Sequence, residues 1–309
     1  MPFNIPLIII YNHKFEKNIE ILEKVYAPKF SKIFHLMPFY RGEKPNVIPV
    51  YEHSFYFQGY VAQALKYFYN PDFSHYFFIS DDLLLNPFIS EKNIAQYLKI
   101  DSASSFIPEL IELHKQPSDQ FWPRMRLAFE YKPNQEGVEI ANEIPTYKKA
   151  IKKLKKFDLT IEPIKFSQLY QKLHIFSKKE NTKNEIRKII KWLQYFPNHN
   201  KLNLKYPLIG SYSDIFLIAK DNIKDFSHYC GAFAASKLFV EFAIPTAIAL
   251  TSEKIVTEKN ISLEGKALWT DLDYKVLDQF DNNLDKLLTE FPEQWLYVHP
   301  IKLSKWFHK

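Results

Sequence analysis

Residues Tyr76–Pro87 read YFFISDDLLLNP. Tyr76, Phe77, Phe78 and Ile79 run into adjacent carboxylates at Asp81 and Asp82, and a second apolar run closes on Asn86-Pro87. A short apolar run bounded by turn residues predicts a buried strand. Two neighbouring carboxylates at the end of such a strand repel each other and must each shed water, so an apolar setting penalises the pair. A divalent cation removes that conflict, and hard cations such as Mg²⁺ prefer carboxylate oxygen. The stretch therefore predicts a site where a metal meets a phosphate-bearing ligand. The same Ser80-Asp81-Asp82 sequence also suits a turn or a helix N-cap, where Ser and Asp are favoured.

The flanking sequence alternates strand-like and helix-like patterns. Pro6–Tyr11 (PLIIIY) predicts a buried strand followed by Asn12-His13 in a loop. Phe15, Ile19, Leu22 and Tyr26 fall at helical spacing, predicting a helix over Phe15–Tyr26 that ends before Pro28. Lys32–Met37 (KIFHLM) predicts a second strand, Tyr56–Tyr69 a second helix stopped by Asn70-Pro71, and Tyr76–Ile79 the next strand. This order implies an α/β fold with a parallel sheet and helices on its faces. Ligands in such sheets bind outside the carboxyl ends of the strands, where both Asn12-His13 and Asp81-Asp82 fall.

The remainder is less regular. Glu109–His114 predicts a helix, and the proline-rich stretch from Gln116 to Pro145 predicts loops. Helices are expected over Thr146–Phe157 and Lys183–Phe196, strand over Leu208–Ala219, and a helical region over Phe226–Leu250 broken at Pro245. With no repeat and no low-complexity linker, residues 1–309 read as one domain. Within it, 1–100 form a ligand-binding half, 101–207 a loop-rich and basic helical insertion, and 208–309 a second half with a C-terminal tail.

Composition narrows the function classes. The chain of 309 residues is 46% hydrophobic and 17% aromatic, which marks it as globular. With 6 glycines it carries neither G-x-G-x-x-G nor G-x-x-x-x-G-K-[ST], so a bound nucleotide must be held without a glycine-rich phosphate loop. Cys230 is the single cysteine, which excludes an internal disulfide and a cysteine-based zinc site. MPFNIPLIII has neither the basic segment nor the long apolar core of a signal peptide, and no apolar run approaches a bilayer span; a cytoplasmic location is expected. The net charge of +6 is uneven: Tyr147–Trp192 holds 14 basic and 4 acidic residues. That segment suits an anionic membrane surface at the inner face, or is simply a solvated lysine-rich face. Nucleic acid is not expected as a partner, because the segment's aromatics form no recognised RNA-binding motif.

The motif order over residues 5–90 resembles the GT-A-fold glycosyltransferases. These begin with a strand ending in a short polar turn, as PLIIIYNH does, and reach an acidic D-x-D or x-D-D motif after a helix and further strand. The resemblance implies a Rossmann-related, mostly parallel sheet and a nucleotide-diphosphate sugar donor, most commonly a UDP-sugar. It implies Mn²⁺ or Mg²⁺ on the diphosphate, with Asp82 as direct ligand and Asp81 beside it or nearer the ribose or sugar. In LYVHPIKLS, His299 resembles by position the late histidine that several such families use as a further metal ligand, and also suits a packing role. Tyr11, Asn12, His13 and Arg41 lie where the nucleotide sugar would be held. Asp214, in GSYSDIFLIA, and Glu241, in the apolar run Phe239–Leu250, resemble the acidic residue presented to an acceptor hydroxyl, where a carboxylate acts as general base. Asp214 equally suits a strand-start cap, and Glu241 a solvated helix position.

Arginine is rare, at positions 41, 124, 126 and 187, in a chain rich in lysine. Arg124 and Arg126, beside Trp122 and Phe129, are candidates for an anionic or sugar acceptor, because the guanidinium fork matches such groups. The expected activity is transfer of a sugar to a hydroxyl of a bacterial surface glycan or lipid-linked glycan. The alternatives are a non-catalytic protein docking a membrane or partner on the same fold, and a metal-dependent phosphohydrolase using the same aspartates.

Overall fold

In the computed structural model, which describes residues 4–116, 125–134, 140, 142–165 and 201–307, the strands are β1 (Leu7–Ile10), β2 (Ile33–Pro38), β3 (Val47–Val50), β4 (His75–Ser80), β5 (Leu84–Leu85), β6 (Ser104–Phe106), β7 (Ile164–Lys165), β8 (Lys201–Leu202), β9 (Ile215–Ala219), β10 (Lys254–Val256), β11 (Glu264–Ala267) and β12 (Trp295–His299). Seven of them form one sheet in the order β10-β6-β9-β4-β1-β2-β3. Only β9 runs against its neighbours; the other pairings are parallel. Every residue of β1, β4 and β9 is buried, as expected for strands covered on both faces. Tyr76 and Phe78 point into one core with Tyr60, Phe233 and Phe242, from the helices Gln58–Phe68, Ile223–Ala235 and Val240–Thr251. Phe77 and Ile79 point into the other with Leu22 and Tyr26, from the helix Lys17–Tyr26, and Val298 of β12. The fold is thus α/β, with a mostly parallel sheet between helices, as the strand–helix alternation implies.

The sequence patterns locate β1, β2, β4 and the first two helices to within about two residues. Strand β3 carries Pro49, which breaks the apolar pattern; β3 is the sheet edge, and Pro49 faces solvent, where no ladder donor is required. The helix Tyr147–Leu154 starts where expected, its Thr146 hydroxyl accepting from Lys149 N–H, and a 3₁₀ turn continues it to Phe157. The helix expected over Lys183–Phe196 lies outside the described residues.

Three expectations are corrected, and one set of hydrogen bonds explains all three. Glu109–His114 is not an α-helix, because Ile111 exchanges both backbone hydrogen bonds with Gly210. Residues 208–214 are not strand, because Ile209 N–H bonds the Thr246 hydroxyl and Ser211 N–H bonds the Glu241 carbonyl. The region Phe226–Leu250 is not broken at Pro245; it breaks between Ala235 and Val240, with Lys237 left-handed at φ 58°. Pro245 sits inside the helix Val240–Thr251, where a proline leaves the carbonyl four residues earlier without its usual donor. That carbonyl belongs to Glu241, and Ser211 N–H occupies it at 3.0 Å. The proline thereby ties the approach to β9 onto the start of this helix.

Two histidines in the sheet are buried and neutral. His35 meets the Tyr11 hydroxyl at 2.9 Å, and its Nε2 is 3.6 Å from Glu23, too far for a hydrogen bond. His75 Nε2 is 3.1 Å from the Asp101 carbonyl oxygen. Burial holds both rings down to about 4, from the usual 6.5. The unfolded chain therefore takes up these protons first, and stability is expected to fall as pH drops from about 6.5 to about 4, by at most about 3 kcal/mol per ring. Denaturant unfolding at pH 7 and pH 5 measures this. The loss should shrink in His75→Gln, and an unchanged slope would remove His75 from the account.

Candidate functional site

The two aspartates of the opening stretch face different neighbours. Strand β4 ends at Ser80, and the Asp81 N–H bonds the Ile10 carbonyl, fixing the turn against the end of β1. The Asp81 carboxylate turns toward the first helix, with Oδ1 accepting from Asn12 N–H at 3.2 Å and Oδ2 from the Asn18 side-chain amide at 3.0 Å. Asp81, expected as a metal ligand or donor contact, holds the β1 loop against the helix and also lines the cleft beside the site. Burial, and then the Asp82 charge, push its carboxyl up to about 7.

Asp82 instead meets two residues from distant sequence. Strand β5 pairs antiparallel with β12, Val298 opposite Leu84, so one further step of that register brings His299 beside the Asp82 turn. The Ile301 N–H bonds the Asp82 carbonyl at 2.6 Å and the Leu268 N–H bonds the His299 carbonyl at 2.7 Å, clamping the histidine from both sides. Asp214 comes from the start of β9. Because β9 is antiparallel to β4, its beginning lies at the end of β4, and Ser80 N–H bonds the Asp214 carbonyl at 2.9 Å.

His299 Nε2 lies 3.0 Å from Asp82 Oδ1 and 3.8 Å from Asp214 Oδ1, and the three residues offer donor atoms all within 4.8 Å of one another. His299 is buried and the two aspartates half-buried. Burial drives the Asp214 carboxyl up, with Asp82 adding to the shift and His299 opposing it. Burial also raises Asp82, but hydrogen bonding and charge from His299 outweigh it and leave that carboxyl below its usual range. For His299, burial is overcome by the charges of Asp214 and Asp82, so the ring is held above its usual value. An imidazolium here meets the same electrostatic need a divalent cation would meet. Two carboxylates and one imidazole suit a borderline ion: the carboxylates alone fit Mg²⁺ or Mn²⁺, and the nitrogen shifts preference away from Mg²⁺.

The group opens into a cleft of about 580 Å³, within the usual range for small-molecule sites. Asn12, His13 and Phe15 line it from the β1 loop, Glu241 from the first turn of the helix Val240–Thr251, and Trp269 and Lys302 from the C-terminal region. Asn12, His13 and Glu241 therefore reach the place assigned to them from sequence. Tyr11 does not: it is fully buried beneath the site, bonded to His35. Arg41 is exposed on the loop after β2 and is not among the residues lining the cleft. Arg124 lies outside the described residues, as does the side chain of Arg126. Asp214, expected to serve an acceptor, joins the metal-donor group. Asn18, Tyr212, Trp269 and Lys302 were not foreseen; each sits in an ordinary helix, loop or tail pattern with no signature of its own.

No protein-family model matches the chain, and no curated protein matches it in sequence. Among the described residues no helix is long and apolar enough to cross a membrane.

The division of labour between the aspartates is testable. Asp81→Asn places an amide against the Asn18 amide or the Asn12 N–H, breaking at least one buried hydrogen bond. A loss of about 1–3 kcal/mol in stability is expected, with Mn²⁺ affinity reduced less than about tenfold. Calorimetric titration with Mn²⁺, paired with denaturant unfolding, checks both. A collapse of Mn²⁺ binding without loss of stability would make Asp81 a ligand after all.

Proposed function

We propose that this chain is a metal-dependent glycosyltransferase, moving a sugar from a nucleotide-diphosphate donor to a hydroxyl of a surface or lipid-linked glycan. One observation carries the proposal: the Asp82–Asp214–His299 donor group stands at the carboxyl ends of β1 and β4, inside a cleft large enough for such a donor. The resemblance of PLIIIYNH and YFFISDDLLLNP to the GT-A-fold enzymes supports the choice of reaction. Bound Mn²⁺, or less favourably Mg²⁺, would supply positive charge where the leaving diphosphate develops negative charge.

The chain's own residues then have distinct tasks. Asp82, Asp214 and His299 would hold the ion. Lys302 and His13 line the same cleft and would face the phosphates and nucleoside. Glu241 remains as the carboxylate facing the cleft outside both the donor group and the Asp81 amide clamp. As the acceptor oxygen bonds the anomeric carbon and the bond to the diphosphate oxygen breaks, the hydroxyl proton would pass to Glu241. Lys148, Lys149, Lys152 and Lys155 are exposed on and just after the helix Tyr147–Leu154, a surface suited to anionic lipid, where a lipid-linked acceptor would lie.

Calorimetry with UDP- and GDP-sugars, with and without Mn²⁺, is the test. Donor binding that requires Mn²⁺ supports the proposal. Absence of binding by every donor sinks it, and phosphate release with no acceptor present would favour the phosphohydrolase.

A further inference from the structure

We infer that Tyr212 is a positioning residue for the metal ligand His299: its hydroxyl oxygen accepts the His299 Nδ1–H and keeps the Nε2 lone pair aimed at the space shared with Asp82 and Asp214. The inference rests on the metal-binding part of the proposal above and not on sugar transfer.

The geometry is specific. His299 Nε2 faces both carboxylates, so it is the nitrogen available for a cation. An imidazole that ligates through Nε2 as a neutral ring must carry its proton on Nδ1. Among the described residues the partner of Nδ1 is the Tyr212 hydroxyl. A hydroxyl oxygen can accept that proton, and a histidine ligand is oriented by whatever its other nitrogen meets.

Tyr212 is itself held. Its ring stacks on Tyr297 at 5.8 Å with an interplanar angle of 4°, and Trp269 meets it edge-on at 5.8 Å. Tyr297 and His299 are two apart on β12 and therefore project from one face of the strand. Tyr212 lies across both, stacked on the first and hydrogen-bonded to the second. It also precedes Asp214 by two residues, so the same short segment supplies a ligand and orients another.

Titration of the metal-free protein with Mn²⁺ alone, followed by calorimetry, tests this in wild type and Tyr212→Phe. Phe keeps the aromatic stack and removes only the hydroxyl, so Mn²⁺ should bind about 10–100-fold more weakly, alongside a loss of about 1–3 kcal/mol in metal-free stability from the Nδ1–H left without its partner. A merely structural role would move the midpoint and not the affinity. Affinity within twofold of wild type overturns the inference and leaves the metal site standing. No saturable Mn²⁺ binding to wild type overturns both. A second measurement does not depend on the variant's stability: imidazole ¹⁵N shifts of the Zn²⁺-loaded wild type should report a protonated Nδ1 on His299. A bare Nδ1 there also overturns the inference.

Discussion

Asp82→Ala is expected to weaken Mn²⁺ binding by more than about 10²-fold, exceeding the roughly 10–100-fold typical of losing a hydrogen-bond partner behind a ligand. Asp82 is the nearest carboxylate to His299 Nε2, at 3.0 Å, and its removal leaves Asp214 and His299 3.8 Å apart as an incomplete pair. The turn itself should survive, since Asp82 contributes its main-chain carbonyl to Ile301 and that bond is untouched by the substitution. Removing one of two mutually repelling carboxylates relieves Asp214 but also takes away the hydrogen bond and charge that hold the His299 ring, so the metal-free variant should unfold below the wild-type midpoint. The contrast appears on adding metal. At a Mn²⁺ concentration of about 100 times its Kd, wild type should gain about 2.7 kcal/mol, and the variant at most about 0.4 kcal/mol. Sugar transfer by the proposed reaction should fall by about 10²–10³-fold, the typical cost of removing one group that stabilises transition-state charge. Thermal unfolding with and without Mn²⁺ suffices as a readout. Equal metal-induced stabilisation of the two proteins would dismiss Asp82 as a ligand.

How far this site was legible in the sequence depends on which pairings are local. Asp82 announces itself, because an apolar strand and the charge that ends it are contiguous. His299 could be suggested only by its place near the C-terminus; what brings it to Asp82 is the β5–β12 pairing across more than two hundred residues. Asp214 was visible as an acid before a strand, but its partner depends on β9 running antiparallel between β4 and β6, a direction no local pattern encodes. Tyr11 shows the converse error: it ends an apolar strand as a ligand contact would, yet its hydroxyl points into the sheet toward His35. Pro245 shows how tertiary contacts override a local rule. A proline in a helical pattern predicts a break, and here the freed carbonyl becomes the anchor for Ser211. Tyr212 has no sequence signature at all, since its role exists only once β12 lies beside it.

The largest expected effect on stability is that of Phe78→Ala, and it bears on the site through the strands that carry it. Phe78 is fully buried, stacked on Phe216 at 4.7 Å with rings 14° apart, and meets Phe68 edge-on at 5.9 Å. The first contact joins β4 to β9 directly, because Phe78 and Phe216 are register partners. Truncation removes the ring and leaves a cavity among rigid neighbours, costing about 3–5 kcal/mol, a large share of the 5–15 kcal/mol typical of a folded protein. Phe88→Ala is the control, since Phe88 is 62% exposed and its loss should change stability by less than about 0.5 kcal/mol. Asp82 follows β4 and Asp214 precedes β9, so the same ring pair sets the distance between two of the three donors. Phe78→Ala should therefore weaken Mn²⁺ binding even at temperatures where the variant remains folded, whereas substitutions of similar cost far from the β4–β9 pair, such as Leu154→Ala, should not. A loss of stability under 1 kcal/mol in Phe78→Ala would show that the two strands are held by other means. Equal Mn²⁺ affinity in folded Phe78→Ala and Leu154→Ala would show that the donors are positioned by their turns alone.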